Sequence, residues 1–300
     1  MAAAVRTDRR QIWSRSELSQ YPVFKELSAD PGRLDRGALA QAMAENPEAV
    51  LDLLPHMAKA ADGALRRVAR QVAGRLVVRF AEEATGASAG DGRWRASRFT
   101  PGAELDLESA LEDVLVARSL DLPLDVDELR ARGWQRRPVA VCLVVDTSGS
   151  MGADRLSAAA VATAALALRA PADFSVVAVS DRALVLRKQG STRPADAVID
   201  DLFGLRSFGW TDLALGLRAA RIQLSVSPAQ RKLVLLLTDG QANRGEDPAR
   251  EAARLDIVHV LVPGVVNAQC AAIARAGHGR AVGFTGLAGA PAAVTALLRA

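Results

Sequence analysis

The amino-acid sequence predicts an α/β fold. Its second half reads as a doubly wound, mainly parallel sheet of Rossmann-like type, preceded by a mostly helical N-terminal region. Three observations predict it. The runs 139–146 (VAVCLVVD), 232–240 (KLVLLLTDG) and 256–264 (DIVHVLVPG) are continuous and rich in Val and Leu, as strands buried on both faces are. Helical segments alternate with them, which implies parallel strands joined by crossovers. Upstream, residues 38–85 carry helical periodicity, broken at Pro47 and Pro55.

The clearest early element is the segment 61–84, with Leu65, Val68, Val72, Leu76 and Phe80 expected on one buried stripe. The Gly-, Ser- and Arg-rich stretch 84–99 reads as a loop or linker. Residues 104–128 are strongly acidic and partly helical by the spacing of Leu107, Leu111 and Val114. The first buried strand is followed by a helix over 155–170 that is apolar nearly all round. Residues 174–180 and 183–189 look like a hairpin, and Pro194 opens a helix. A further helix is expected over 211–224, and the last helices over 267–276 and 290–299, with a short strand near 280–284. The expected division is a helical domain over 1–100, an acidic helix and linker over 101–137, and an α/β domain over 138–300.

Bulk properties narrow the function. The chain has 300 residues, half of them hydrophobic but only 4% aromatic, so the core must be built mostly from Ala, Val and Leu. A net charge of +4 is too mild to argue for nucleic acid by itself. Cys142 and Cys270 are far apart and make no disulfide framework, which points to a reducing compartment. The N-terminus carries no apolar signal region, and no stretch approaches the roughly eighteen apolar residues of a membrane span. The expectation is a cytoplasmic protein.

In open α/β sheets, ligands bind beyond the carboxyl ends of the strands. The first buried strand ends in Asp146-Thr147-Ser148-Gly149-Ser150, and the strand at 231–238 ends in Asp239-Gly240. Between them, the loop 207–213 delivers Thr211 and Asp212. Asp146, Ser148, Ser150, Thr211 and Asp239 form an all-oxygen donor set, which suits Mg²⁺, with Mn²⁺ or Ca²⁺ as alternatives, and disfavours zinc. An open coordination position would attract an incoming carboxylate.

DTSGS resembles the D-x-S-x-S signature of von Willebrand factor A domains, Thr211 their second element and Asp239 their third. The resemblance covers about residues 138–300. It implies a metal-ion-dependent adhesion site (MIDAS), with Ser148, Ser150 and Thr211 on the metal and Asp146 and Asp239 acting directly or through water. A partner's acidic side chain would take the sixth position. Bacterial relatives often carry Gly-Gly-Thr in the second loop; here it is Gly209-Trp210-Thr211. Trp210 would either belong to a partner-binding surface, with Asp212 and Gly240, or pack against Phe208.

The DTSGSM and LLTDG motifs and the segment 99–115 also look similar to the CoxE-like proteins that work beside MoxR-type AAA+ ATPases. No phosphate-binding G-x-x-x-x-G-K-[ST] motif is present, so this chain would not be the ATPase. The resemblance implies an adaptor, not an enzyme, capturing a protein partner that presents Asp or Glu. The alternatives are an RNA-binding protein of the same family or a subunit resembling magnesium-chelatase D. Trp13, Trp94 and Trp134 stand among arginines and could stack bases, but aromatics at domain junctions are the plainer reading, and nucleic acid is the disfavoured partner.

Overall fold

The computed structural model describes residues 12–85, 93–98, 104–105, 111, 114–115, 118–119, 130–135, 139–147, 153–169, 173–205 and 210–299. Contacts divide the chain into two compact units, one of residues 1–86 with 139–300 and one of residues 87–138. This differs from the three consecutive segments expected from the sequence. The helices over 47–57 and 63–85 share a core with the sheet, while Leu18, Phe24, Leu27 and Leu39 pack with them in a separate cluster.

The larger unit opens with α1 (Arg15–Leu18), α2 (Pro22–Leu27), α3 (Arg36–Glu45), α4 (Pro47–Met57) and α5 (Gly63–Thr85). Caps set these boundaries. Ser14 makes a capping box with Glu17, Asp35 accepts from Gly37 and Ala38, and Asn46 accepts from Ala49. Pro47 stands in the first turn of α4, where its missing N–H costs nothing.

The buried line of α5 departs from the expected stripe. It runs through Leu65, Ala69, Ala73, Val77 and Phe80, while Val68, Val72 and Leu76 are half-buried beside it. Close helix packing explains the shift. A Cβ on Gly74 would lie 2.7 Å from the carbonyl oxygen of Asp196, so small residues occupy the middle of the line at Ala69 and Ala73, with Leu65, Val77 and Phe80 toward its ends.

The smaller unit is a three-stranded antiparallel sheet of β1 (Arg93–Arg98), β2 (Glu104–Leu105) and β3 (Arg130–Gln135), in the order β1-β3-β2. The expected loop over 84–99 is therefore corrected in its second half, where RWRASR pairs with RARGWQ. Within the acidic block, Leu111, Val114 and Leu115 are helical and exposed.

The α/β part then runs β4 (Val139–Asp146), α6 (Ala153–Arg169), β5 (Phe174–Val179), β6 (Ala183–Arg187), α7 (Ala195–Gly204), α8 (Leu213–Ser225), β7 (Arg231–Leu237), α9 (Pro248–Ala252), β8 (Ile257–Pro263), α10 (Ala268–Ala276), β9 (Ala281–Phe284) and α11 (Gly286–Arg299). The six strands lie in the order β6-β5-β4-β7-β8-β9 and are parallel except for β6, which pairs antiparallel with β5 as the expected hairpin. The mixed α/β fold is the one the sequence predicts.

Strand alternation feeds two cores. Val141, Leu143 and Val145 face α6, α7 and α11, whereas Ala140, Cys142 and Val144 face α8 and α10. Helix α6 is buried on both sides. Leu51 and Leu54 of α4, and Ala73 and Val77 of α5, join the core that α6 shares with the sheet. The Ser157 hydroxyl donates to the carbonyl of Leu51 at 2.9 Å. Among the described residues, no helix is long and apolar enough to cross a membrane.

Candidate metal centre

The crossover from β4 goes to β5 on one side, and the chain later returns as β7 on the other. The carboxyl ends of β4 and β7 therefore flank the switch point of the sheet, the position where loops diverge and a ligand can enter. Asp146 is the last residue of β4, and Asp239 follows β7 by two residues. Thr211 precedes α8 by two. The fold brings these three expected metal residues to one sheet edge. Ser148 and Ser150, also expected to hold the metal, lie outside the described residues.

All three are buried: Asp146 is 0% exposed, Thr211 1% and Asp239 7%. Burying two carboxylates and a hydroxyl is costly unless donors or a positive charge meet them. Thr238 supplies one donor. Its hydroxyl donates to Asp146 Oδ2 at 2.8 Å and accepts the N–H of Gly240 at 2.9 Å. One side chain thus ties the end of β4 to the loop after β7. Asp239 Oδ1 accepts from the N–H of Gln241 at 3.0 Å. The Asn267 amide donates to the Asp239 carbonyl at 2.6 Å, while its oxygen caps α10 by accepting the N–H of Cys270 at 2.8 Å.

The second loop is fixed as firmly. The N–H of Thr211 donates to Asn243 Oδ1 at 2.7 Å, and the Thr211 carbonyl accepts from the N–H groups of Asn243 and Arg244 at 3.3 and 3.2 Å. Thr147 holds the start of the first loop, with its N–H and hydroxyl both donating to the Val179 carbonyl.

Of the three residues expected to face a partner, Trp210 alone is exposed, at 55%. Phe208, the alternative packing partner, lies outside the described residues. Asp212 is half-buried and serves as the N-cap of α8, accepting from the N–H of Leu215 at 2.8 Å. Gly240 is buried with φ +80°, and a Cβ there would fall 2.6 Å from Cys270 Sγ. Its part is the bend that lets the loop turn above α10.

Cys270 lies within reach of the charges of both carboxylates. Its thiol is pushed up to about 11, first by burial and then by the negative charges of Asp239 and Asp146. Sequence reasoning missed Cys270, Asn243 and Asn267, which come from distant segments. Thr238 was visible beside Asp239, but nothing in a single sequence showed where its hydroxyl would go.

The donors fit a hard divalent cation. They are carboxylate and hydroxyl oxygens, and among the described residues no cluster of three or more His, Cys, Asp or Glu could hold a metal by itself. Two carboxylates and hydroxyls would leave a bound divalent ion close to neutral, with room for an outside ligand.

Residues 141–241 match the von Willebrand factor type A domain family. The matched stretch contains all five expected metal residues. No curated protein matches the chain. Solved structures similar to it include an aerotolerance-related membrane protein from Bacteroides fragilis, 16% identical over 54% of this chain and 97% of that one, with a TM-score of 0.44. A von Willebrand factor type A protein from Catenulispora acidiphila is 21% identical over 54% of this chain and 42% of its own, with a TM-score of 0.44. Proximal thread matrix protein 1 from the mussel byssus, solved with a zinc-occupied MIDAS motif, is 19% identical over 54% of this chain and 45% of its own, with a TM-score of 0.44.

Proposed function

We propose that this protein is a non-catalytic adaptor that captures an acidic side chain of a partner protein through a Mg²⁺ ion. The observation that carries this reading is the burial of Asp146, Thr211 and Asp239 at the switch point of the sheet, where Thr238 ties Asp146 to the loop after β7 and Asn243 holds Thr211. Asp146, Ser148, Ser150, Thr211 and Asp239 would hold the ion, and Mn²⁺ would substitute for it. The ion would supply the positive charge that the partner's carboxylate completes.

The residues of the chain do the rest. Thr238 orients Asp146, Asn267 steadies the backbone of Asp239, and Asn243 fixes the amide of Thr211. Trp210, exposed and next to Thr211, would supply the aromatic anchor that partner surfaces favour. The resemblance of the motifs to the CoxE-like group favours a MoxR-type AAA+ ATPase, or a client of one, as the partner, acting in the cytoplasm.

Capture from a lysate in Mg²⁺ tests this reading. Partners should be retained by the wild-type chain and lost with Asp146→Ala or with EDTA. Equal recovery by wild type and Asp146→Ala would defeat metal-mediated capture.

A further inference from the structure

We propose that Arg244 is a specificity residue beside the metal centre, which reads a second carboxylate of the partner, two residues away from the one that meets the ion. The inference rests on the adaptor reading above and names the partner's chemistry, an extended segment in which two acidic residues flank one other residue.

The loop after β7 returns over Thr211 and is bonded to it. Asn243 Oδ1 accepts the Thr211 N–H at 2.7 Å, and the Thr211 carbonyl accepts from the N–H groups of Asn243 and Arg244 at 3.3 and 3.2 Å. Gly245 then turns with φ +87°, packed so closely on the Asp212 carboxylate that no Cβ would fit. These bonds fix where the Arg244 side chain starts, next to a residue of the expected metal set. Arg244 is exposed, and among the described residues its guanidinium makes no hydrogen bond or ion pair.

The acidic groups around it are otherwise engaged. Asp212 and Asp247 accept backbone N–H groups at the starts of α8 and α9, and Glu246 meets Arg218 at 3.3 Å. Arg182 is also exposed, on the loop after β5 whose Ser180 carbonyl accepts the Asp212 N–H, but it follows Asp181 directly, which offsets its charge.

A free guanidinium presents a planar fork of donors that matches a carboxylate. Backbones joined by a hydrogen bond lie about 5 Å apart, as paired strands do, and residues i and i+2 of an extended chain share a side about 6.7 Å apart. Acidic residues with one residue between them would therefore span the ion and Arg244, whereas adjacent acids point to opposite sides. A plainer role exists for Arg244, a solvated surface charge. That role predicts no dependence of partner choice on its sign.

The test uses the full chain in Mg²⁺ and three fluorescein-labelled peptides, GLDSDLG, GLDSKLG and GLKSDLG, read by anisotropy. Wild type should prefer the diacidic peptide by about fivefold, the upper end for an exposed ion pair, and the preference should fade in high salt. Arg244→Gln should lose the preference, and Arg244→Glu should reverse it toward one of the lysine peptides. Calorimetric titration with Mg²⁺ alone separates two failures. A chain that takes no Mg²⁺ defeats the adaptor reading. One that takes Mg²⁺ but binds no diacidic peptide at up to about 1 mM, or whose peptide preference is the same in wild type and Arg244→Glu, overturns the role of Arg244 alone.

Discussion

At the scale of single residues, Thr238 and His259 make the sharpest claims. The Thr238 hydroxyl satisfies two buried groups at once, Asp146 Oδ2 and the N–H of Gly240. Thr238→Val keeps the shape and removes both bonds. Groups that orient a metal ligand typically contribute 10–100-fold to metal affinity, so calorimetric titration of Thr238→Val should show a loss of about that size. His259 is 3% exposed in the middle of β8, and its Nδ1 accepts from the N–H of Arg280 at 3.1 Å. Burial, with the charges of Arg231 and Arg280, lowers its pKa from 6.5 to about 4. Between those values the unfolded chain holds a proton that the folded chain refuses. Stability from this residue is therefore full at neutral pH and is lost as pH falls through 6.5 toward 4. Denaturant melts should show a loss of about 2 kcal/mol between pH 7 and pH 5 that His259→Gln lacks. His259 lies within the run 256–264, which the sequence reads as a strand buried on both faces. The sequence carried no sign of Asn267 or Asn243, whose partners are 28 and 32 residues away. Local pattern marks which residues are buried, but long-range hydrogen bonds depend on loop paths that no local pattern encodes.

At the scale of elements, α5 is the instructive case. Its helical period was plain, yet the buried line passes through Ala69 and Ala73 instead of Val68 and Val72. Hydrophobicity identifies a helix face only to within one position, and close packing beside Gly74 then favours the small side chains of Ala69 and Ala73. Gly74 marks the point of closest approach to α7. Gly74→Ala should improve intrinsic helix propensity by about 1 kcal/mol. The clash with the backbone of Asp196 should outweigh it, giving a net loss of about 1–3 kcal/mol in urea melts. Were Gly74→Ala more stable than wild type, this packing would be wrong. Strands β1 and β3 show the other limit. Arg is their commonest residue and apolar alternation is absent, so composition gave no strand signal, and only long-range pairing makes them strands.

At the scale of the molecule, α4 and α5 complete the α/β core, while the buried residues of α1 to α3 pack in a separate cluster with them. Leu51, Leu54, Val77 and Phe80 pack into the same cluster as α6 and the sheet. Fully burying a leucine, valine or phenylalanine contributes about 1.5–3 kcal/mol, so four such side chains rival the margin of a typical domain. Residues 138–300 produced alone should therefore expose the outer face of α6, bind a hydrophobic dye and unfold without a sharp transition. A cooperative, dye-free 138–300 fragment would show that the first helices are an accessory. The apolar circumference of α6 already hinted that something must cover both sides, although the sequence did not say which helices would do so.

Metal binding is read most plainly from the unfolding midpoint of the whole chain in EDTA, Mg²⁺ and Mn²⁺, for wild type and Asp146→Ala. At free metal about a hundred times Kd, a site present only in the folded chain adds about 2.7 kcal/mol, or roughly 5–10 °C. A metal held by Asp146 predicts that rise for wild type and none for Asp146→Ala. A wild-type midpoint that does not move with either metal, or one that moves equally in Asp146→Ala, would contradict it.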